Sequence, residues 1–318
     1  MSDDERRFPA DPKIRFTIDC DDLEFALSEF IDKQEYRLFS IFPADEPRRA
    51  IVERDGTYVM LEKKADPGSE EPKTSAELRG IVVTLPDDSE WHEGRAGMLY
   101  RDLLPCRAGG RLIASQIRIP DGGPVPDYVH FHKVAFQVIF CLKGSCRLVY
   151  EYQGEPFDFS AGDCVLQPPG IRHRVLECSD GFEVLELSSP AEHPTYADHE
   201  MDLPNPHIDP EKDFAGQHFH RHIAKDGDGP RTDLGLAEPS SGAVLGELIR
   251  PRGSRSERVE FGRPDSALVY VAEGGAEMTG GPSGPLVLAE GSSCFIPEVP
   301  DSAIECTDAS ALIFRLRL

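Results

Sequence analysis

Tyr128-Val-His130-Phe-His132-Lys-Val-Ala-Phe-Gln137 and Pro168-Pro-Gly170-Ile-Arg-His173 are the two stretches on which the reading of this chain turns. In the first, two imidazoles sit at i and i+2 in an aromatic and β-branched setting. A strand points side chains two apart to the same face. Gln137 follows five residues later and offers an amide oxygen. The second stretch delivers a third imidazole directly after a Pro/Gly turn. Three histidines and an oxygen donor suit a divalent first-row metal. Tyr128 shares parity with His130 and His132, so it is expected to face inward beside them.

Strand-like runs surround both stretches, at 110–120, 128–132, 136–143, 145–152, 155–159, 163–167, 173–178 and 182–188, separated by Gly, Pro and Asp turns. Many short alternating strands at this spacing imply an all-β sandwich. A similar series fills the last hundred residues. There Gly291-Ser-Ser-Cys-Phe-Ile-Pro297 echoes Gly162-Asp-Cys-Val-Leu-Gln-Pro168, a weak internal repeat, and the histidines do not recur. Near the N-terminus the order is strand (Ile14 to Ile18), helix (with Leu23, Ala26, Leu27 and Phe30 on one face), then three strands. Residues 1–12 read as a disordered tail, 64–78 as a linker, and 190–213 as an arm or lid.

His130, His132, Gln137 and Gly144 fall on the first motif of the cupin superfamily, with Gln in place of the usual Glu. Gly162, Pro168, Gly170 and His173 fall on the second. The chain therefore resembles a bicupin with one intact metal site, over about residues 95 to 200 for the two motifs. The resemblance implies a mainly β double-stranded β-helix (jelly-roll) fold, with an N-terminal α+β (βαβββ) module. That module resembles half of a vicinal-oxygen-chelate (glyoxalase) fold. The expected divisions are 1–85 for the module and linker, 86–205 for the metal-binding barrel and arm, and 206–318 for a degenerate second barrel. Glu62 sits roughly where glyoxalase-like modules place a ligand, although no histidine accompanies it. A lone half-cup suggests pairing across a homodimer.

The resemblance also implies a divalent transition metal held by His130, His132, Gln137 and His173. Fe(II) is the first choice, with Mn, Ni, Co, Cu or Zn as alternatives, since neutral imidazole accepts them all. An amide in place of a carboxylate leaves the ion's charge unreduced and favours an anionic substrate. Gln137 can equally be a structural amide that only supports the site. Candidate catalytic residues are Tyr128, Arg118 and His193. Arg118 would clamp a carboxylate if its strand presents Gln116 and Arg118 inward, and would be solvated if it does not. His193, Tyr196 and His199 lie on the arm, where they could close over the site or simply pack. Arg172 and Arg174 alternate with His173 and belong at the rim. His218, His220 and His222 alternate as well, and read as strand or lid surface rather than a second metal site.

The family hosts many reactions, so fold does not settle chemistry. The first expectation is a dioxygenase-type oxidoreductase acting on a small organic acid or diketone-like molecule. The rivals are a non-redox isomerase or lyase acting on a sugar-acid-like substrate, and a non-catalytic small-molecule-binding protein. The charge balance, 34 Lys and Arg against 57 Asp and Glu, gives –23 and argues against nucleic acid or anionic membrane as partners. No apolar run is long enough to span a bilayer, and the charged N-terminus lacks the apolar core of a secretory signal. A cytoplasmic location is expected, with the eight cysteines reduced.

Overall fold

The computed structural model describes residues 8–64, 80–94, 97–225, 229–251, 256–261, 266–280, 284–297, 302–306 and 310–318. The expected linker beyond Lys64 and residues 1–7 of the expected tail lie outside these residues. Strands dominate, and two jelly-roll sandwiches follow the small α+β module.

The module runs strand Ile14–Cys20, helix Leu23–Gln34, then strands Arg37–Phe42, Arg49–Arg54 and Thr57–Lys63. Asp22 caps the helix, its carboxylate accepting from the Phe25 amide at 2.9 Å. Leu23, Ala26, Leu27 and Phe30 pack onto Leu38, Val52, Val59 and Leu61, as their helical spacing requires. The module does not stand apart. Its strand Arg37–Phe42 pairs with Thr195–Ala197, pairing Thr195 with Ile41 and Tyr196 with Ser40. Thr195–Ala197 pairs in turn with His130–His132. One ten-stranded sheet thus runs from the module into the histidine-bearing wall. The inner edge of the half-cup is closed by this chain's own arm.

Within the expected tail, the described residues 8–12 are anchored by one side chain. Phe8 is buried, its ring 6.2 Å from Phe131 and 6.4 Å from Tyr196. An apolar socket on the sheet's outer face outweighs the entropy of the preceding polar residues.

Facing the ten-stranded sheet is a seven-stranded one, which includes Ile113–Ile119, Phe136–Lys143, Cys164–Gln167 and Phe182–Ser189. Alternation splits each of these strands. Ile117, Ile139, Val165 and Val184 join the interior of the first jelly roll. Ala114, Phe136, Val138, Phe140, Leu166, Leu185 and Leu187 face the other way. They pack on Leu248, Leu268, Tyr270, Phe295, Leu312 and Phe314 of the second jelly roll. The sheet is therefore covered on both faces, and the two sandwiches share one apolar layer.

Two short strands stitch this arrangement against chain order. Val82–Thr84 pairs with Ser293–Phe295 of the second sandwich, although it precedes the first. His220–His222 pairs with Cys164–Leu166 of the first, although it follows residue 205. Hydrogen bonding thus crosses the expected divisions at 85/86 and 205/206, because each sheet edge is capped by the segment that passes it. The second interior is filled by Val259, Val269, Met278, Ile304 and Ile313. Where Gln137 pairs with Gln167 in the first sandwich, Ala267 pairs with Ile296 in the second. Apolar side chains occupy the space that a ligand would need.

All eight cysteines are free thiols. Burial pushes Cys141 and Cys294 up to about 12 and Cys306 up to about 11, from an ordinary 9.0. Thiols that ionise only in the unfolded chain stabilise the fold below pH 9, and that contribution is lost as pH rises through their folded values. Stability by urea denaturation should fall steadily between pH 9 and 11. Leu166, fully buried in the shared layer, should cost about 2–5 kcal/mol on replacement by Ala in the same assay.

Candidate metal centre

His130 and His132 flank Phe131 on a three-residue strand, so both rings point into the first sandwich while Phe131 packs outward with Phe8 and Tyr196. His173 opens the neighbouring strand and lies opposite His130 in the antiparallel ladder. The three rings converge, with centroids 4.2 Å apart for His130 and His173 and 5.2 Å for each pair with His132. One nitrogen from each lies within 4.8 Å of the others. All three residues are buried. Among the described residues this is the one His, Cys, Asp and Glu group able to hold a metal.

The surroundings set the tautomers. His130 Nδ1 lies 2.8 Å from the Tyr128 carbonyl, and His173 Nδ1 lies 3.0 Å from the Ile171 carbonyl. A carbonyl only accepts, so each Nδ1 carries the proton and each Nε2 keeps its lone pair. His132 Nδ1 is 2.8 Å from the Thr195 hydroxyl. Outer partners of this kind hold metal-binding imidazoles in orientation. In this chain they come from the strand lead-in, the Pro/Gly turn and the arm.

Gln137 approaches from the opposite sheet. It is buried, and its Oε1 has no hydrogen-bond partner among the described residues. A buried acceptor left unpaired costs roughly 1–3 kcal/mol. Three converging imidazoles and an orphaned amide oxygen around one cavity fit a divalent first-row cation. Gln167, directly across the ladder, also lines the cavity, and its Nε2 donates to the Tyr150 hydroxyl at 2.6 Å. Tyr150 stacks on His173 at 5.4 Å and closes the floor.

The cavity has a volume of about 90 Å³, against roughly 10–15 Å³ for one water on the same measure. Its walls are chiefly apolar, among them Ile117, Ile119, Ile139, Val175, Val184 and Phe182. Two carboxylates reach it. Glu186 lies on the strand wall, on the same face as Val184, and Asp45 comes from the N-terminal module. Asp45 accepts from Arg107 at 2.7 Å. Neither was anticipated. Glu186 was visible as the single acid on the inward parity of Phe182–Ser189. Nothing local in the sequence placed Asp45, which arrives only because the module's sheet docks on the arm.

None of the expected catalytic residues lines the cavity, and His193 lies behind His132. His193 is buried, its ring 5.6 Å from His132, with Nδ1 3.0 Å from the Pro190 carbonyl. Its Nε2 has no partner among the described residues, and burial holds its pKa below the ordinary value. Arg118 faces outward. It pairs with Glu183 at 2.9 Å and lies 4.3 Å over the Trp91 ring. The inward phase of that strand belongs to Ile117 and Ile119, because Gln116 is held by Arg101 and Glu183 on the opposite face. Tyr128 holds His130 through its backbone carbonyl and does not line the cavity. Its ring lies edge-on to His130 and packs against the module's core.

The remaining candidates serve the scaffold. Arg172 lies 3.9 Å over Phe131 and pairs with Asp198 at 3.1 Å. His199 Nε2 is 2.7 Å from the Leu38 carbonyl and ties the arm to the module. His220 lies 3.0 Å from the Leu234 carbonyl on an edge strand. Glu62 is paired with Arg49 at 3.5 Å, on a half-exposed surface.

Residues 116–187 match the family model of the cupin domain. No curated protein matches the sequence. Protein YlbA from E. coli has a similar structure, with a TM-score of 0.55 at 9% identity, over 78% of this chain and 95% of that one. A variant of Bacillus subtilis oxalate decarboxylase gives 0.51 at 12% identity, over 74% and 76%. A further oxalate decarboxylase structure gives 0.53 at 11%, over 79% of each chain. Mn(II) centres are named for the B. subtilis enzyme. At such identities the likeness is one of fold. Residues 116–187 match a cupin domain, and the chain around them is mainly β, with a pair of jelly rolls similar in fold to those of a bicupin.

Proposed function

We propose that the protein is a metal-dependent enzyme acting on a small organic acid or diketone-like molecule in the first jelly roll. The observation that carries this reading is the convergence of three oriented imidazoles, two of them with Nδ1 held by a carbonyl, and the orphaned Gln137 oxygen on a small, largely apolar cavity. His130, His132, His173 and Gln137 would hold a divalent transition metal. Fe(II) is our first choice, and Mn(II) is the alternative suggested by the similar folds. When bound, the ion supplies a Lewis acid with open positions for substrate oxygens. Every donor in the set is neutral, so the ion keeps its charge and an anionic substrate is favoured.

The chain's own residues then do three things. Tyr128, Ile171 and Thr195 keep the imidazoles oriented through their Nδ1 atoms. The isoleucine, valine and phenylalanine walls exclude water, which strengthens electrostatic contacts inside and protects reactive species. Glu186 is placed to take a proton from the bound molecule, while Asp45 is neutralised by Arg107. The largely apolar walls, which shield reactive species, support oxygen-dependent, dioxygenase-type chemistry as the first reading. Glu186, together with the decarboxylase folds, favours a second reading, non-redox lyase or isomerase chemistry with the carboxylate as base.

Oxygen uptake in a screen of small keto, hydroxy and dicarboxylic acids separates the two. The first reading expects turnover that consumes O2 and stops without it. The second expects anaerobic turnover, lowered about 10²–10⁴-fold by Glu186→Gln with metal content unchanged. A metal-loaded protein that binds such acids but converts none under either condition would instead be a binding protein. Elemental analysis should find one transition metal per chain, lost in His132→Ala. Thr195→Val should weaken metal affinity by about 10–100-fold, read by chelator competition.

A further inference from the structure

The strand Ile14–Cys20 ends the ten-stranded sheet. It pairs in parallel with Thr57–Lys63, and among the described residues nothing pairs with its outer edge. Such an edge is a template for another strand, and proteins usually blunt it with proline, a short length or inward charge. This one is seven residues long and contains no proline. The helix Leu23–Gln34 packs chiefly over the other three strands of the module, and on the helix side of this one only Cys20 joins their core. Phe16 and Ile18 lie on that side, in register with Val59 and Leu61, and are 55% and 40% exposed.

The charges on the opposite side run in order. Lys13 and Arg15 precede Thr17, and Asp19 and Asp21 follow it. Asp21 pairs with Lys64, whereas Arg15 and Asp19 form no ion pair among the described residues. A second copy laid antiparallel about Thr17 would set Arg15 opposite Asp19 twice. On the other face it would set Phe16 opposite Ile18 twice. Thr17 would meet itself on the two-fold axis. Each of these cross-strand pairs is favourable. A parallel, in-register partner would instead set Arg15 on Arg15 and Asp19 on Asp19. The strand is thus self-complementary in one direction only, as a closed two-fold interface requires. With a net charge of –23, copies of this chain repel one another, and local complementarity of this kind is what admits one contact.

We propose that this edge is the interface of a two-fold homodimer, in which two modules join antiparallel about Thr17 into one continuous sheet. The occupant is a second copy of the whole chain, and the dimer is independent of the metal centre.

Sedimentation velocity of the full chain over a wide concentration range tests this. Wild type should dimerise. Arg15→Asp and Asp19→Arg each set like charges face to face, and should each weaken dimerisation at least tenfold. An equimolar mixture of the two variants restores both opposite-charge pairs and should form a heterodimer. Thr17→Cys should cross-link to itself under mild oxidation, while Arg15→Cys should not, and circular dichroism checks that each variant is folded. A monomeric wild type, variants that dimerise as wild type does, a mixture that stays monomeric, or a Thr17→Cys chain that fails to cross-link would each overturn the proposal. The first of these results would mean that the edge is covered within the chain or by a different protein.

Discussion

The seven-stranded sheet of the first jelly roll carries closely packed side chains on both faces, and the rest of the molecule is arranged around that demand. Its inner face holds Gln137, Gln167, Ile117 and Glu186 against the cavity. Its outer face holds Phe136, Val138, Leu166 and Leu187 against the second sandwich. Without that second sandwich, a broad apolar surface would face water, at a cost of about 25 cal/mol for each Å². This gives the second jelly roll a physical task. Its own interior is filled by aliphatic side chains, and its outer face is the lid on the first sandwich's floor. Arg101 fastens the junction, donating to Gln116 at 2.7 Å and to the Gly291 carbonyl at 2.8 Å.

The opposite wall obeys a different constraint. Imidazoles with a free choice of rotamer and tautomer make a poor site, and here each is held from behind. Two of the holding partners are backbone carbonyls two residues before their histidines, at Tyr128 and Ile171, which accept from Nδ1. The third is a side chain, Thr195, on a strand that also pairs with the N-terminal module. The module therefore touches the centre twice, through Thr195 and through Asp45, although it contributes no ligand. Its sheet continues the wall of the site, and its position is coupled to the orientation of His132.

Much of this was legible in the residues. The alternation of 136–143 and 182–188 and the Leu23–Phe30 face each follow from a local period, and each is found as the period requires. The His-x-His pair and the turn-borne His173 were legible because an i, i+2 spacing on a strand permits one outcome for both side chains. Arg118 shows where this reasoning stops. A strand has two faces, and its own residues do not say which one turns inward. Here Trp91 and Glu183 gather on the face with Arg118, so the isoleucines take the cavity. Phe8 and Asp45 were illegible for a related reason, since their neighbours are more than a hundred residues away in sequence or across a sheet that no local pattern announces.

Amino-acid order alone therefore determined the jelly-roll class, the three imidazoles, the amide that accompanies them and the loss of these donors from the second copy, because each is a matter of spacing along one strand or turn. Tertiary structure alone decided which wall faces the cavity, that Glu186 and Asp45 reach it, and that the short strands at 82–84 and 220–222 exchange between sandwiches. The physical reason is that local periodicity governs which side chains share a face. Only the packing of faces against one another, paid in desolvated area between distant segments, governs what each face meets.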